Sequence, residues 1–392
     1  MNVRRWLGLL LVFGAVGCLL VTQPGCPADQ PAPPSPGPGP ATTTPPAETP
    51  EPATPPAETP AETPAETPAA PPAPAEDEAA VGTPVDPKTF VPAGLPDLPI
   101  PDDNPLTEEK IALGKKLYFD KQLSKDGTVS CATCHDPAMA WTEHRATSEG
   151  IGGQVGGANS PTVINAAYGT SQFWDGRAAS LEEQALGPIE NPIEMGHKLE
   201  DLVKQLAEVP EYQEAFTKAY GSPEVTNDRI AKAIASFERT VLSGDSPYDK
   251  FEAGDEAALN DAQKRGMEIF MSVGCADCHS PPVFSNYRFF NAGIGMDKET
   301  PDEGRKAVTG KDSDLGKFRV PMLRDVANTG PYFHDGSVES LEEAVKIMAA
   351  GGKANDNLSS MMKAVGTEEL TEENVKDLVE FLKALSGTFP KE

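Results

Sequence analysis

The sequence predicts a mainly α-helical protein of two domains with long loops, preceded by a disordered Pro/Ala/Glu/Thr-rich linker. Three observations predict it. Apolar residues recur at helical spacing beyond residue 101, while strand signals are few. The motif Cys131-Ala132-Thr133-Cys134-His135 returns as Cys275-Ala276-Asp277-Cys278-His279, 144 residues later, and the roughly 290 residues after the linker suit two domains. Of the 40 prolines, 23 lie between Pro24 and Pro92. Such a composition has too few apolar residues to offset its ordering entropy.

Residues 1–26 read as a targeting segment. Arg4 and Arg5 precede an apolar run, Trp6 to Val21, with small residues near its end. Cys18 and Cys26 are both candidate lipid acceptors, and cleaved secretion and an uncleaved anchor are the other readings. All of them place the body in the periplasm or otherwise outside the cytoplasmic membrane. Residues 27–100 form the expected linker, with Ala-Glu-Thr-Pro at 47–50, 57–60, 61–64 and 65–68. The formal net charge is −27. That argues against nucleic acid and suits a basic partner, or solubility alone.

The N-terminal domain is expected over 101–250. Thr107 caps a helix with Glu108 and Glu109 in its first turn, and Ile111, Leu117 and Tyr118 continue its apolar spacing. A turn from Ser124 to Ser130 delivers the first cysteine motif. Five glycines fall within 150–157. This stretch lacks a Lys-Ser/Thr ending and a preceding strand, so it reads as backbone beside a cofactor and not as a phosphate loop. Ser180-Leu181-Glu182-Glu183 starts a helix. Further stripes run through Leu199, Leu202, Val203 and Leu206 and through Ile230, Ala233, Ile234, Phe237 and Val241.

The break from Leu242 to Pro247 leads to a second domain, 251–392. It opens with a helix around Asp261 to Met271 and the second cysteine motif, followed by irregular chain from Pro281 to His334. Ser340 caps a helix through Met348 to Ala350, where Gly351 and Gly352 stop it. The last helix starts at Thr371 and turns Val375, Leu378, Val379, Leu382 and Leu385 inward.

Cys-x-x-Cys-His is the pattern of covalent haem attachment. Two thiols add across the haem vinyl groups, and the adjacent histidine reaches the iron from one side. Two copies, in a chain whose other cysteines are Cys18 and Cys26, point to two haem c groups. A pair of zinc half-sites competes, since Cys-x-x-Cys also chelates zinc. The histidine beside each pair favours haem.

Beyond these two motifs, the chain resembles the bacterial dihaem cytochrome c peroxidase family, its MauG-like branch included. The matching stretches are 129–135, Asn159-Ser160-Pro161-Thr162-Val163, Phe173-Trp174-Asp175-Gly176-Arg177, 187–195, 275–279 and Pro331-Tyr332-Phe333-His334-Asp335-Gly336, in family order. The resemblance implies two cytochrome c-like haem domains with unequal haems. The peroxidatic haem would be held by Cys131, Cys134 and His135. The electron-accepting haem would be held by Cys275, Cys278 and His279, with Met348 as second axial ligand. His/Met ligation raises an iron potential, which suits electron entry. Glu194 would carry the proton between the two peroxide oxygens, and Trp174 would bridge the haems. A calcium ion is implied on the Asn159 side chain and the carbonyls of Thr329 and Pro331, all oxygen ligands. The implied partners are hydrogen peroxide and a small donor protein, a cytochrome c or cupredoxin, and the family is often a homodimer. Arg177 stays open between a haem propionate and Asp175.

The chain departs from the family pattern at one place. Members with a distal histidine carry it 16 residues after the proximal one, which is Ile151 here. Isoleucine cannot bind iron, and His144 and His197 are the nearby histidines. The expectation is a peroxidatic iron that is five-coordinate or water-bound at rest. A MauG-like oxidase acting on a protein or organic substrate is the second reading. MauG has a tyrosine where this chain has Met348, which tilts the choice toward peroxidase. A dihaem electron carrier or redox sensor is the third reading, and Glu194 beside an open iron argues against it.

Overall fold

Thr107 accepts a hydrogen bond from the Lys110 amide and so starts α1 (Glu108–Phe119). The first half continues with α2 (Cys131–Cys134), α3 (Leu181–Glu190), α4 (Leu199–Ala207), α5 (Pro210–Tyr220) and α6 (Asn227–Glu238). The second half holds α7 (Pro247–Glu252), α8 (Asp261–Ser272), α9 (Cys275–Cys278), α10 (Arg305–Thr309), α11 (Leu341–Ala349), α12 (Ser360–Val365) and α13 (Glu372–Lys383). A small antiparallel pair, β1 (Phe289–Phe290) and β2 (Phe318–Arg319), sets Phe289 opposite Arg319. This computed structural model describes residues 81–365 and 370–391. The targeting segment with Cys18 and Cys26, and the linker up to residue 80, lie outside the described residues. Among the described residues no helix is long and apolar enough to cross a membrane.

Each half is built on one close helix crossing. α1 crosses α6 at Gly114, where a Cβ would collide with the Ala233 carbonyl. Only glycine lets the two backbones come so near. Tyr118, Trp141 and Phe237 close over this crossing, with Tyr118 lying 5.6 Å from Trp141 and 5.2 Å from Phe237 between ring centroids. In the second half α8 crosses α13 at Gly266, where a Cβ would strike the Asp377 carbonyl. Phe270, Phe284 and Phe381 take the place of the three rings.

The correspondence continues along the chain. Asn165 and Asp325 both take left-handed backbone, at φ 58° and 59°, as do Phe173 and Phe333, at 66° and 70°. A single bridge joins Gln172 to Ala178 and another joins Tyr332 to Val338. Ser180 then caps α3, and Ser340 caps α11.

The apolar side chains gather accordingly. Leu113, Leu117, Leu202, Phe216, Ile230 and Ile234 fill the first half, and Phe270, Leu378, Leu382 and Leu385 fill the second. A third cluster of Leu98, Tyr168, Leu242, Val283 and Tyr287 lies between them. Arg324, fully buried, and Asp249, buried, form a bidentate pair at 2.7 and 2.8 Å. Burial works against the Asp249 carboxylate, but the bonds to Arg324 outweigh it and hold its pKa below the usual range.

The expected linker, 27–100, extends too far. From residue 81 the chain packs on the body. Phe90, Val91, Leu95 and Ile100 lie against the third cluster, to which Leu98 belongs. The Gly94 carbonyl accepts from Arg324 at 3.0 Å, and the Pro96 carbonyl accepts from Tyr168 at 2.9 Å. These apolar residues recur within a proline-rich composition, and their burial offsets the ordering entropy.

Two outcomes follow from this packing. Gly114→Ala should lower stability by roughly 1–3 kcal/mol, the usual range for forced overpacking, read as a lower denaturant midpoint. An unchanged midpoint would show that the helices can separate freely. Asp325, fully buried, has Oδ2 unpartnered, and burial pushes its carboxyl up to about 6. Its folded pKa lies above the ordinary 3.8, so its contribution is present in acid and is lost as pH rises through about 6. Asp325→Asn, the residue the first half uses at Asn165, should therefore stabilise the protein at pH 8 by roughly 1–3 kcal/mol. The gain should shrink at pH 4; a gain independent of pH would rule out the carboxyl as its source.

Candidate functional site

Both cysteine motifs fold as one short helical turn ending in the histidine. In α2 the Ser130 amide donates to Thr133 Oγ1 at 2.9 Å, and the His135 amide donates to the Cys131 carbonyl at 3.0 Å. In α9 the His279 amide donates to the Cys275 carbonyl at 2.9 Å. Helical spacing brings the two thiols of each motif to one face. His279 Nδ1 lies 3.1 Å from the Phe284 carbonyl. A carbonyl can only accept, so Nδ1 carries the proton and Nε2 keeps a free lone pair. Burial pushes His279 down to about 4, so its ring is neutral at physiological pH. Burial lowers His135 as well. The carbonyls of Trp141 and Pro161 face its ring, although Nδ1 makes no hydrogen bond of ordinary geometry. As free thiols Cys131 and Cys134 are pushed by burial to about 12, and Cys275 to about 11. Such thiols are poor nucleophiles at neutral pH, which suits anchors and not redox or catalytic cysteines.

A cavity of ≈ 470 Å³ opens beside the first motif. Cys131, Cys134, His135 and Glu194 line it, and it continues past Trp174 to Tyr287, Arg319, Thr329 and Pro331 of the second half. Glu194 Oε1 accepts from Asn191 Nδ2 at 3.0 Å. Burial raises the Glu194 pKa, and Arg177 partly opposes the shift. The Ile151 amide donates to the Glu194 carbonyl at 2.8 Å, while the Ile151 side chain packs on Gly196 and the first core. His144 is exposed, with Nε2 2.9 Å from the Asn328 carbonyl. His197 is buried, its amide on the Ile189 carbonyl at 2.8 Å. Neither lines this cavity.

Trp174 is held from both sides. Its Nε1 donates to the Asn159 carbonyl, the Asn159 amide donates to the His334 carbonyl, and the Arg319 amide donates to the Trp174 carbonyl, each at 2.8 Å. The His334 ring stacks on Phe318 at 3.5 Å. Asn159 Nδ2 donates to the Arg145 carbonyl at 2.8 Å, which leaves its Oδ1 for a cation. Thr329 and Pro331 line the same cavity. Among the described residues no three His, Cys, Asp or Glu cluster as metal ligands. A cation here would therefore rest on carbonyl, amide and water oxygens.

Met348 is half-buried on the last turn of α11. It stands eight residues after Ser340, as Pro188 stands eight after Ser180, and Pro188 lines the first cavity. Arg177 pairs with Asp175 at 3.0 Å and lies over the Phe173 ring at 3.4 Å.

Three cavity residues have no signal in any local motif. Arg319 donates from Nε to the Phe173 carbonyl at 3.2 Å and has no carboxylate partner among the described residues. Tyr287 Oη and Glu238 Oε2 are buried and unpartnered. Aligning the two halves on Phe237 and Phe381 would have singled out Glu238, because Leu382 stands in its place. The residues present suit a haem. The cavity is of ligand size, the thiols are inert, and a guanidinium lacks the anion that a haem propionate would bring.

Comparison with known proteins agrees. A family model described as di-haem cytochrome c peroxidase matches residues 108–257, and one described as cytochrome c matches 263–386. Cytochrome c551 peroxidase of Nitrosomonas europaea is 41% identical over 300 residues, covering 76% of this chain and 86% of the relative. Methylamine utilization protein MauG of Methylorubrum extorquens is 40% identical over 292 residues, covering 74% and 82%. The crystal structure of a MauG-like protein associated with microbial copper homeostasis aligns with a TM-score of 0.68 at 32% identity, over 76% of this chain and 95% of that one.

Replacing Cys131 and Cys134 together by Ala should halve the covalent haem per chain, measured as pyridine haemochromogen. Unchanged haem content would remove these thiols as anchors.

Proposed function

The chain belongs to the di-haem cytochrome c peroxidase family, and we propose that it reduces hydrogen peroxide to water with electrons from a small cytochrome c or cupredoxin. The observation that carries this reading is one cavity lined by a half-buried carboxyl, Glu194, together with Cys131, Cys134 and His135. Bound haem supplies the iron centre at which electrons and peroxide meet. Cys131, Cys134 and His135 would hold one haem, with Arg319 toward a propionate. Cys275, Cys278, His279 and Met348 would hold the other. The match of Met348 to the cavity-lining position of Pro188 supports its assignment.

Peroxide reduction requires a proton to leave one oxygen and reach the other. Glu194 performs this transfer. Asn191 restrains Oε1, so Oε2 is the oxygen left to take and return the proton. Its raised pKa brings the carboxyl closer to the operating pH, which favours transfer in both directions. Electrons enter in the half of His279 and pass by Trp174, whose indole and backbone are both fixed by hydrogen bonds. A calcium ion on Asn159, Thr329 and Pro331, completed by water, would brace the same loop.

The two haem domains divide at about residue 250; two successive matched ranges, 108–257 and 263–386, support two domains in this order. The protein acts outside the cytoplasmic membrane, with Cys18 or Cys26 as a lipid anchor and a homodimer as its assembly. Ile151, tied to the Glu194 loop, leaves the peroxidatic iron without a histidine gate.

With reduced cytochrome c as donor, Glu194→Gln should lower peroxide turnover roughly 10²–10⁴-fold. The wild-type rate should fall in acid as Glu194 takes up a proton, at a pH above the ordinary glutamate range, and this limb should vanish in the variant. No turnover by the wild type would dismiss the peroxidase reading. Equal turnover in both would dismiss Glu194 as the proton carrier.

A further inference from the structure

Glu238 ends α6, one residue after the ring of Phe237 that closes the helix crossing. It is 6% exposed, lines the cavity with Cys131 and His135, and has Oε2 without a partner. At the equivalent place the second half has Leu382, part of its apolar core. The first half therefore carries a carboxyl where the same fold needs only a hydrocarbon. The adjacent cation, Arg239, opposes the effect of burial only in part. Arg239 is engaged with Glu182 of α3 through two bonds, at 2.7 and 3.1 Å. The other titratable groups facing it are Glu182, Tyr118 of α1 and Cys131 of α2, none of them cationic.

We propose that Glu238 is a redox-linked proton site of the haem on His135, taking up one proton as that haem accepts one electron. The inference rests on haem binding at His135 and not on peroxidase activity. A carboxylate without a countercharge in a buried cavity is costly. Burial pushes Glu238 up to about 8, so the protein alone keeps it neutral at pH 7. An oxidised haem carries one more positive charge than a reduced one. In a medium of low dielectric that charge favours the ionised carboxyl, and its loss favours the protonated one. The balanced step is Fe(III) + e⁻ + Glu238–COO⁻ + H⁺ → Fe(II) + Glu238–COOH. The donor supplies the electron, and solvent supplies the proton. The linkage is reciprocal, so pH must shift the potential.

The test is an optical redox titration of the haem-loaded full-length protein at several pH values spanning about 8, with mediators and no peroxide. Haem content is measured first, so failure to load is distinguished from failure of the proposal, and turnover plays no part. In the wild type the potential of the His135 haem should fall as pH rises through this window, while that of the His279 haem should not. Glu238→Gln should flatten the first curve, and so should Glu238→Leu, which copies the Leu382 of the second half. The same slope in wild type and Glu238→Gln, or a flat wild-type curve, would overturn the proposal. Reduced-minus-oxidised infrared spectra of the unaltered protein give a reading that needs no variant. A carboxylic C=O band should appear on reduction, and its absence would overturn the assignment.

Discussion

Gly114 and Gly266 let pairs of helices touch backbone to backbone, and the placement of both histidines follows from that contact. At α1 and α6 the close approach brings Tyr118 against Phe237 and Trp141. Tyr118 then donates to the His135 carbonyl at 3.3 Å. The same α6 carries Ile234 and Glu238 to the cavity wall. At α8 and α13 the rings of Phe270 and Phe381 pack around Phe284, and the Phe284 carbonyl holds His279 Nδ1. A side chain at either glycine would separate the helices and loosen the residues that orient an imidazole. The constraint is steric, and its consequence is the direction of a lone pair.

Two halves with one plan differ where chemistry enters. Glu238 faces the first cavity where Leu382 fills the second core. Pro188 lacks any donor atom where Met348 has a thioether. Trp174 occupies the place that His334 takes 160 residues later, and Asn159 joins the two through its carbonyl and amide. The buried Arg324–Asp249 pair spans 75 residues of chain, and Arg324 also reaches the carbonyls of Gly94 and Pro282. Removing either partner would leave a charge in a dry interior, a larger penalty than the pair itself contributes. The junction is thereby fixed in register, so the cavity that crosses it keeps its shape.

Local signals in the sequence are reliable where the physics is local. Thr107, Ser180, Ser340 and Thr371 each accept a hydrogen bond from an amide three residues on, as their spacing predicts. The cysteine motifs are likewise self-contained turns. Residues 81–100 read as linker because five prolines break any helical or strand period, while the eight apolar residues among them find their partners elsewhere in the chain. Arg319 and Glu238 are illegible for another reason. Nothing beside them in sequence shows that one lacks an acid and the other a base. Only the fold places them in one cavity, and only the comparison of Glu238 with Leu382 marks the carboxyl as surplus to packing.

The hydrogen bond from the Ile151 amide to the Glu194 carbonyl has a kinetic meaning. It ties the glycine-rich loop to the loop that carries the Glu194 carboxyl, with the Ile151 side chain seated on Gly196. A displacement of either segment would therefore reach the other directly. The two are expected to relax together, on one timescale, and a substitution at Ile151 should be felt at the carboxyl through its own backbone.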